Sequence, residues 1–335
     1  MLPVLSSIIT TIALGSFGIS PGNYSAITHV RDNVYAVVDD KDKVDGFKLL
    51  TLDIDTISGK VRNASLLEPP AMAERRAAGV ATDRDCEGAC YFPEANTVFV
   101  SGEEDQRILE YSLDGQPTGR ELNVPSCLGK DKIYHNLGFE ALTYNHHNHR
   151  FWTCTEATLK ADGPHSDAQH LDVHNKLRLV AFNDSLQPVA SYVYEMDKPE
   201  THRTSAKCVH GVPSIFALDD GRILVMEREG SFPKHEYGSW VNIKVYVVNP
   251  AETPQVSLDT KMSDITTDKF LKKTSVCAFR TNLRLFKMNL SNYEGMCLGP
   301  RLADGRQTLL LISDSQNGLG NFFYHIKDHV RVIAF

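Results

Sequence analysis

One unit of sequence recurs five times along this chain, and that recurrence limits the fold more than any other feature. It reads "NYSAITHVRDNVYAVVDD" from Asn23, "DCEGACYFPEANTVFVSGEED" from Asp85, "GFEALTYNHHNHRFWTCTEA" from Gly138, "VPSIFALDDGRILVMEREG" from Val212 and "NYEGMCLGPRLADGRQTLLLISDS" from Asn292. In each, a Glu or Ser near a small residue leads an apolar run, a polar turn follows, and a β-rich run ends in an acid. The turns are Asp32-Asn33, Glu94-Ala95-Asn96, Asn145 to Asn148, Asp219-Asp220-Gly221 and Ala303-Asp304-Gly305. Alternating apolar runs on either side of such turns predict β-hairpins.

A third strand of alternating type follows each hairpin: "FKLLTLDID", "RILEYSLDG", "KLRLVAFND", "IKVYVVNP" and "HVRVIAF". Repeated three- and four-stranded units with little helical periodicity predict an all-β chain, a single β-propeller domain over residues 1–335. Five blades are visible. A sixth is expected around "TSVCAFRTNLRLFKMNL", Thr274 to Leu290, and "SSIITTIALGSF" near the N-terminus is expected to pair with the C-terminal strands and close the ring. A β-sandwich also supplies many short strands, but it does not require the same acid at the same place in each unit. No helix-initiating run, phosphate-binding glycine loop or G-x-S-x-G elbow is visible, and "GLGNFF" lacks the strand and helix that a dinucleotide fingerprint needs.

Composition narrows the partners. In 335 residues, 42 acids against 35 Lys plus Arg leave a formal charge of −7, so no basic face is expected for nucleic acid or anionic lipid. No apolar run reaches the roughly 18 to 20 residues of a membrane-spanning helix. The first 20 residues carry an apolar stretch but no basic head, and they read as a strand rather than a secretory signal. Seven cysteines, an odd number scattered singly apart from Cys86 and Cys90, predict free thiols; that pair lacks the second pair of a zinc site. A monomer is the default for a propeller.

In a propeller, equivalent positions on the innermost strands face one channel. Ser25, Glu87, Glu140, Ser214 and Glu294 occupy the first position. Asp39 or Asp40, Glu103 or Glu104, Glu156, Glu227 or Glu229, and Asp314 occupy the second. Converging carboxylates repel one another unless a hard cation such as Ca²⁺ neutralises them. The same acids could instead accept backbone N–H bonds and lock neighbouring blades together. Lys41, Arg75, Arg76, Arg84, Lys130, Lys132, Arg203, Lys207 and Arg228 lie in or beside loops, as ordinary surface charges or as a clamp for an anionic ester. His146, His147 and His149 in "NHHNHR" read as a solvated turn.

Together these motifs resemble the family known as esterase-like activity of phytase, the phytase-like domain. "DCEGACYFPEANTVFVSGEED" resembles its D-x-E-G strand, "LGFEALTYNHHNHRFWTCTEA" its G-F-E-[GA] unit, "GRILVMERE" its L-[LV]-x-E-R stretch, and "NYEGMCLGPRLADGRQTLLLISDS" its E-G…G-P-x-L-x-D-G-R…S-D ending. Cys86 stands where the family often has Pro, and Ser315 where it often has Asn. The resemblance implies a β-propeller exported to the periplasm or cell exterior. It also carries over Glu87, Glu140, Glu156, Arg228, Glu294 and Asp314, with Asp85 and Glu227 beside them.

Two functions follow as expectations. One is Ca²⁺-assisted hydrolysis of a phosphate ester or other ester, with Glu87, Glu140, Glu294 and Arg228 catalytic and Glu87, Glu140, Glu156, Glu227, Glu294 and Asp314 as metal ligands. The other is a non-catalytic, metal-stabilised propeller whose loop face binds a carbohydrate, peptide or envelope partner.

Overall fold

A computed structural model describes residues 6–82, 84–202, 206–284, 287–321 and 324–335. It contains five antiparallel meanders, each entered through one of the five predicted hairpins, and these are the blades of a β-propeller. Blade 1 is Tyr24–Arg31, Val34–Asp39, Lys48–Ile54 and Val61–Leu67; blade 2 is Cys86–Phe92, Thr97–Gly102, Ile108–Ser112 and Pro117–Glu121. Blade 3 is Ala141–Asn145, Arg150–Cys154, Lys176–Phe182 and Pro188–Glu195. Blade 4 is Lys207–Ala217, Ile223–Phe232, Trp240–Val248 and Lys273–Arg284, extended by Lys287–Met288. Blade 5 is Asn292–Leu298, Thr308–Asp314 and His329–Ala334, and its outer strand is Ser7–Ala13, which pairs antiparallel with His329–Ala334 as expected.

The structure corrects the blade count from six to five. Thr274 to Leu290 begins no new blade: Lys273–Arg284 is the outer strand of blade 4, in register with Trp240–Val248. Leu285 and Phe286 lie outside the described residues. Outer strands do not repeat the hairpin grammar, because one side of each meets little or no further strand and their burial varies. Pro117–Glu121 is exposed along its whole length, while Lys273–Arg284 is partly buried, with Val276, Thr281, Asn282 and Leu283 enclosed. A partly apolar outer strand therefore looks like the start of another blade.

The chain divides into two compact units. The first comprises residues 1–101, 109–120 and 291–335. Its apolar core includes Ala26, Ala36, Val38, Phe47, Val98, Val100 and Tyr111, drawn from alternate strand positions. Helix Pro70–Ala77 also belongs here and was not anticipated, since eight residues are too few to show helical periodicity. Its start is set by Pro70, whose missing N–H is unneeded in a first turn. Arg75 in its last turn is no loop charge: it pairs with Asp45 at 2.6 Å and donates to the carbonyls of Asp45 and Gly115, while Tyr111 hydrogen-bonds the same Asp45 carboxylate.

The second unit comprises residues 102–108 and 121–290. Trp152, Leu177, Leu179, Tyr194, Ile215 and Val225 belong to its main apolar cluster. A bidentate pair between Arg178 and Asp162, at 2.6 and 2.7 Å and 4% exposed on each side, ties that cluster's edge to the carbonyl of Thr260. None of the seven cysteines is joined in a disulfide. Among the described residues no helix is long and apolar enough to cross a membrane.

Candidate functional site

The Glu294-Gly295 pair has a steric origin. A Cβ on Gly295 would lie 2.7 Å from Ile312 Cγ2, 2.8 Å from the Ile27 nitrogen and 2.9 Å from the Ala26 carbonyl carbon. Glycine therefore lets the backbone of blade 1 pass close to the first strand of blade 5. The pairing register slips beside Glu294, between Tyr293 and Gly295, and beside Ser25, between Tyr24 and Ala26. Such bulges re-aim the side chain at the slip. Ser25 Oγ, in blade 1, donates to the Cys86 carbonyl of blade 2 at 3.3 Å.

In the first unit, Asp40, Asp85 and Glu87 bring one carboxylate oxygen each to within 4.8 Å of one another. Asp40 follows the strand Val34–Asp39, Asp85 holds a left-handed backbone (φ 50°) before blade 2, and Glu87 is the second residue of that blade. Of the two acids open at this point, Asp39 turns to Lys48 at 3.0 Å, and Asp40 joins the cluster. Lys41 spans it, 2.7 Å from Asp85 and 3.1 Å from Asp40, with its side chain 53% exposed. Asp40 Oδ1 is buried with no hydrogen-bond partner. Burial pushes the Asp40 carboxyl up to about 7, Lys41 opposes the rise, and the charges of Asp314 and Asp85 add to it. Burial alone would lower the Lys41 pKa, but its bonds to Asp85 and Asp40 raise it.

Asp314, fully buried, accepts from the Gln316 backbone N–H at 2.6 Å and from the Gln316 side-chain amide. Glu294 accepts from Asn292 Nδ2 at 2.6 Å. Ser315, which stands where the family often has Asn, donates to the Gly22 carbonyl at 3.0 Å and receives the Gly318 N–H. Asp328 accepts from the N–H groups of Gly22 and Ser315, both at 2.9 Å. The sequence reading missed Asp328, which sits in the connection just before His329–Ala334, outside the repeated unit.

In the second unit, Glu103, Glu140 and Glu156 form a similar trio within 4.8 Å. Its cation is built in. Arg228 Nη2 lies 2.7 Å from Glu156 and 3.5 Å from Glu140, and the Arg228 side chain is 5% exposed. Glu103 accepts from the Gly138 N–H at 2.7 Å, whereas Glu104 is exposed and pairs with Lys130. Gly138 and Gly211 leave the space that Glu103 and Glu156 occupy; a Cβ at either position would collide with those side chains.

Glu227 and Glu229 alternate with Arg228 along one strand and have separate partners. Glu227 takes Tyr194 Oη at 2.6 Å and Lys273 Nζ at 2.7 Å, and Glu229 takes the N–H groups of Glu200 and Thr201, both at 2.8 Å. Burial raises both carboxyls against these partners. Lys273, Asp197 and Lys244 extend the network, and beside it His210 is 5% exposed, its Nδ1 without a partner. These residues went unnoticed in the sequence, since Asp197 lies in a connection and Lys244 and Lys273 sit on strands outside the hairpin unit. Arg84 is buried and donates to Tyr111 Oη at 3.0 Å, and Lys130 and Lys132 pair with neighbouring acids. Arg203 lies outside the described residues.

A model of the phytase-like family, described as esterase-like activity of phytase, matches residues 19–316. The chain belongs to this family. No curated protein sequence matches this phytase-like chain. Among solved structures it is similar to a luciferin-regenerating enzyme, at 11% identity over 97% of this chain and 95% of that one, with a TM-score of 0.40. A member of the DUF4221 family from Bacteroides vulgatus is 8% identical over 99% and 98% of the two chains, with a TM-score of 0.40. The nidogen/laminin complex gives 9%, 70% and 78%, with a TM-score of 0.31. At such identities and scores none of these three bears on what the phytase-like chain does.

Proposed function

We propose that this phytase-like protein hydrolyses a phosphate ester or a related anionic ester with the help of Ca²⁺ held by Asp40, Asp85 and Glu87. The observation that carries the reading is the bare, buried Asp40 Oδ1 in a trio of carboxylates. An unpaired buried oxygen of this kind is costly unless a ligand meets it. The donor set is all oxygen, as Ca²⁺ prefers. Ligands at 2.3–2.6 Å from one ion lie at most about 5 Å apart, which matches the 4.8 Å spread of the trio.

A bound Ca²⁺ would neutralise the trio and polarise an ester oxygen. Lys41, on a flexible stem and half in solvent, would leave Asp85 to pair with an anionic oxygen of the substrate. Asp314, held by its bonds to Gln316, adds its charge to those acting on Asp40. In this reading Arg228 positions Glu140 and Glu156, and it is not a catalytic residue. The periplasm or cell exterior is the proposed location, where weak calcium sites of roughly 10⁻⁴–10⁻³ M are filled.

A second reading is favoured by the Arg228 cluster, where the cation is a side chain and stability is the only product. There the protein is a non-catalytic propeller that binds a carbohydrate, peptide or envelope partner through its loops. Phosphatase and esterase assays with and without chelator, on the wild type and on Asp40→Asn and Glu294→Gln, separate the two. Calcium-dependent turnover lost in Asp40→Asn with the fold intact supports the hydrolase. Calcium-dependent melting without turnover supports the binding propeller.

A further inference from the structure

The turn "NHHNHR" falls where the hairpin of blade 3 was expected, and it meets the turn of the first hairpin of blade 4. His146, His147 and Asp219 each bring one ligand atom to within 4.8 Å of the others, and all three are exposed. His147 Nε2 lies 3.5 Å from Asp219 Oδ2, and the two imidazole centroids are 4.0 Å apart. We propose that these three residues bind Zn²⁺ or a similar borderline transition-metal ion across the two hairpin tips.

Two features prepare the site. Asn145 clamps both turns: its Nδ2 donates to the Leu218 carbonyl at 2.5 Å, and its Oδ1 accepts from the His147 and Asn148 N–H groups at 2.8 and 3.2 Å. Residues 72 positions apart, 147 and 219, are thus held together before any ion arrives, so little chain ordering is charged against binding. The third histidine is directed elsewhere. His149 Nδ1 lies 2.8 Å from Asp184, which also receives Tyr144 Oη at 2.9 Å, so the turn presents only His146 and His147 toward Asp219.

The donor chemistry selects the ion. Two imidazoles and one carboxylate suit Zn²⁺, Cu²⁺ or Ni²⁺, whereas Ca²⁺ and Mg²⁺ prefer oxygen alone. In a tetrahedral shell at about 2.0–2.1 Å, ligand atoms stand roughly 3.3 Å apart. Rotation of exposed rings by one to two ångströms at the tip reaches this, and water completes the fourth position.

The test is titration of Zn²⁺ into the full chain in calcium-free buffer by calorimetry, with Co²⁺ absorption as a spectroscopic readout. The wild type is expected to take up one equivalent with a tetrahedral cobalt spectrum free of thiolate charge-transfer bands. His147→Ala and Asp219→Asn should each weaken binding about tenfold or more, since even partners outside the metal's own shell act on a 10–100-fold scale. His170→Ala, on another loop, should leave it unchanged. Zinc uptake equal in all four proteins, a thiolate cobalt spectrum, or no uptake by the wild type overturns the proposal.

Discussion

Arg228 donates to Glu156 across 2.7 Å with both side chains almost fully enclosed, one from blade 4 and the other from the end of the second strand of blade 3. The contact spans 72 residues and supplies a charge that the carboxylates around it could not do without.

Removing that charge should be severe. Arg228→Met leaves Glu140 and Glu156 buried without their cation, and a loss of roughly 3–5 kcal/mol is expected from broken buried pairs of this type. Urea unfolding measures it. Glu156→Gln placed on top should recover part of the loss, whereas simple addition of the two effects would show that the residues are not coupled.

Gly295→Ala should cost about 1–3 kcal/mol, because its new methyl meets backbone on one side and Ile312 on the other. A matching Ala at Gly79, where nothing lies within 4 Å but φ is +71°, should cost less. Thermal melting of the two variants makes the comparison.

Asp162→Ala should uncouple the Arg178 guanidinium from its bidentate partner and release the carbonyl of Thr260. We expect a loss of roughly 3–5 kcal/mol and faster proteolytic cleavage between residues 250 and 270. Global destabilisation with unchanged cleavage sites would argue against that segment's dependence on the pair.

Acid should weaken the fold through two histidines. Burial, reinforced by Lys244, pushes His210 down to about 4, and burial with Arg331 does the same to His329. Both are depressed bases: the stability they contribute is complete above the unfolded pKa of about 6.5 and is lost as pH falls toward about 4, on the order of 3 kcal/mol each. Asp328 and Asp40, raised by burial to about 6 and about 7, oppose them, and the raised carboxyls of Glu227 and Glu229 act in the same direction, since the contribution of a raised carboxyl is present at low pH and fades as pH rises through its folded pKa. Melting temperatures across this range should fall less steeply in His210→Phe than in the wild type.

The hairpins were legible because strand alternation and turn chemistry are local, and all five first hairpins stand where the repeats put them. Choosing Asp40 over Asp39, or Glu103 over Glu104, was beyond the sequence, since Asp40, Glu103 and Glu104 lie just past a strand's end, where alternation no longer says which way a residue faces and only the partners reveal it. Lys273 and Asp197 were unreadable for a related reason: their importance rests on Glu227, which lies 46 and 30 residues away. Asp219 belonged to a recognised turn, but nothing in one turn announces which other turn it will meet. The missing sixth blade shows the limit of counting repeats when outer strands carry no signature of their own.

Ser7–Ala13 finds its partner in His329–Ala334, at the opposite end of the chain. At ordinary translation speeds of about 5–20 residues per second, the early strand waits on the order of tens of seconds for the late one to be made. Until then Ser7–Ala13 is a β-segment without its partner strand. Completion of this blade thus waits for His329–Ala334 to be made, and the interval before it is when Ser7–Ala13 is most open to chaperones and to mispairing with a second copy.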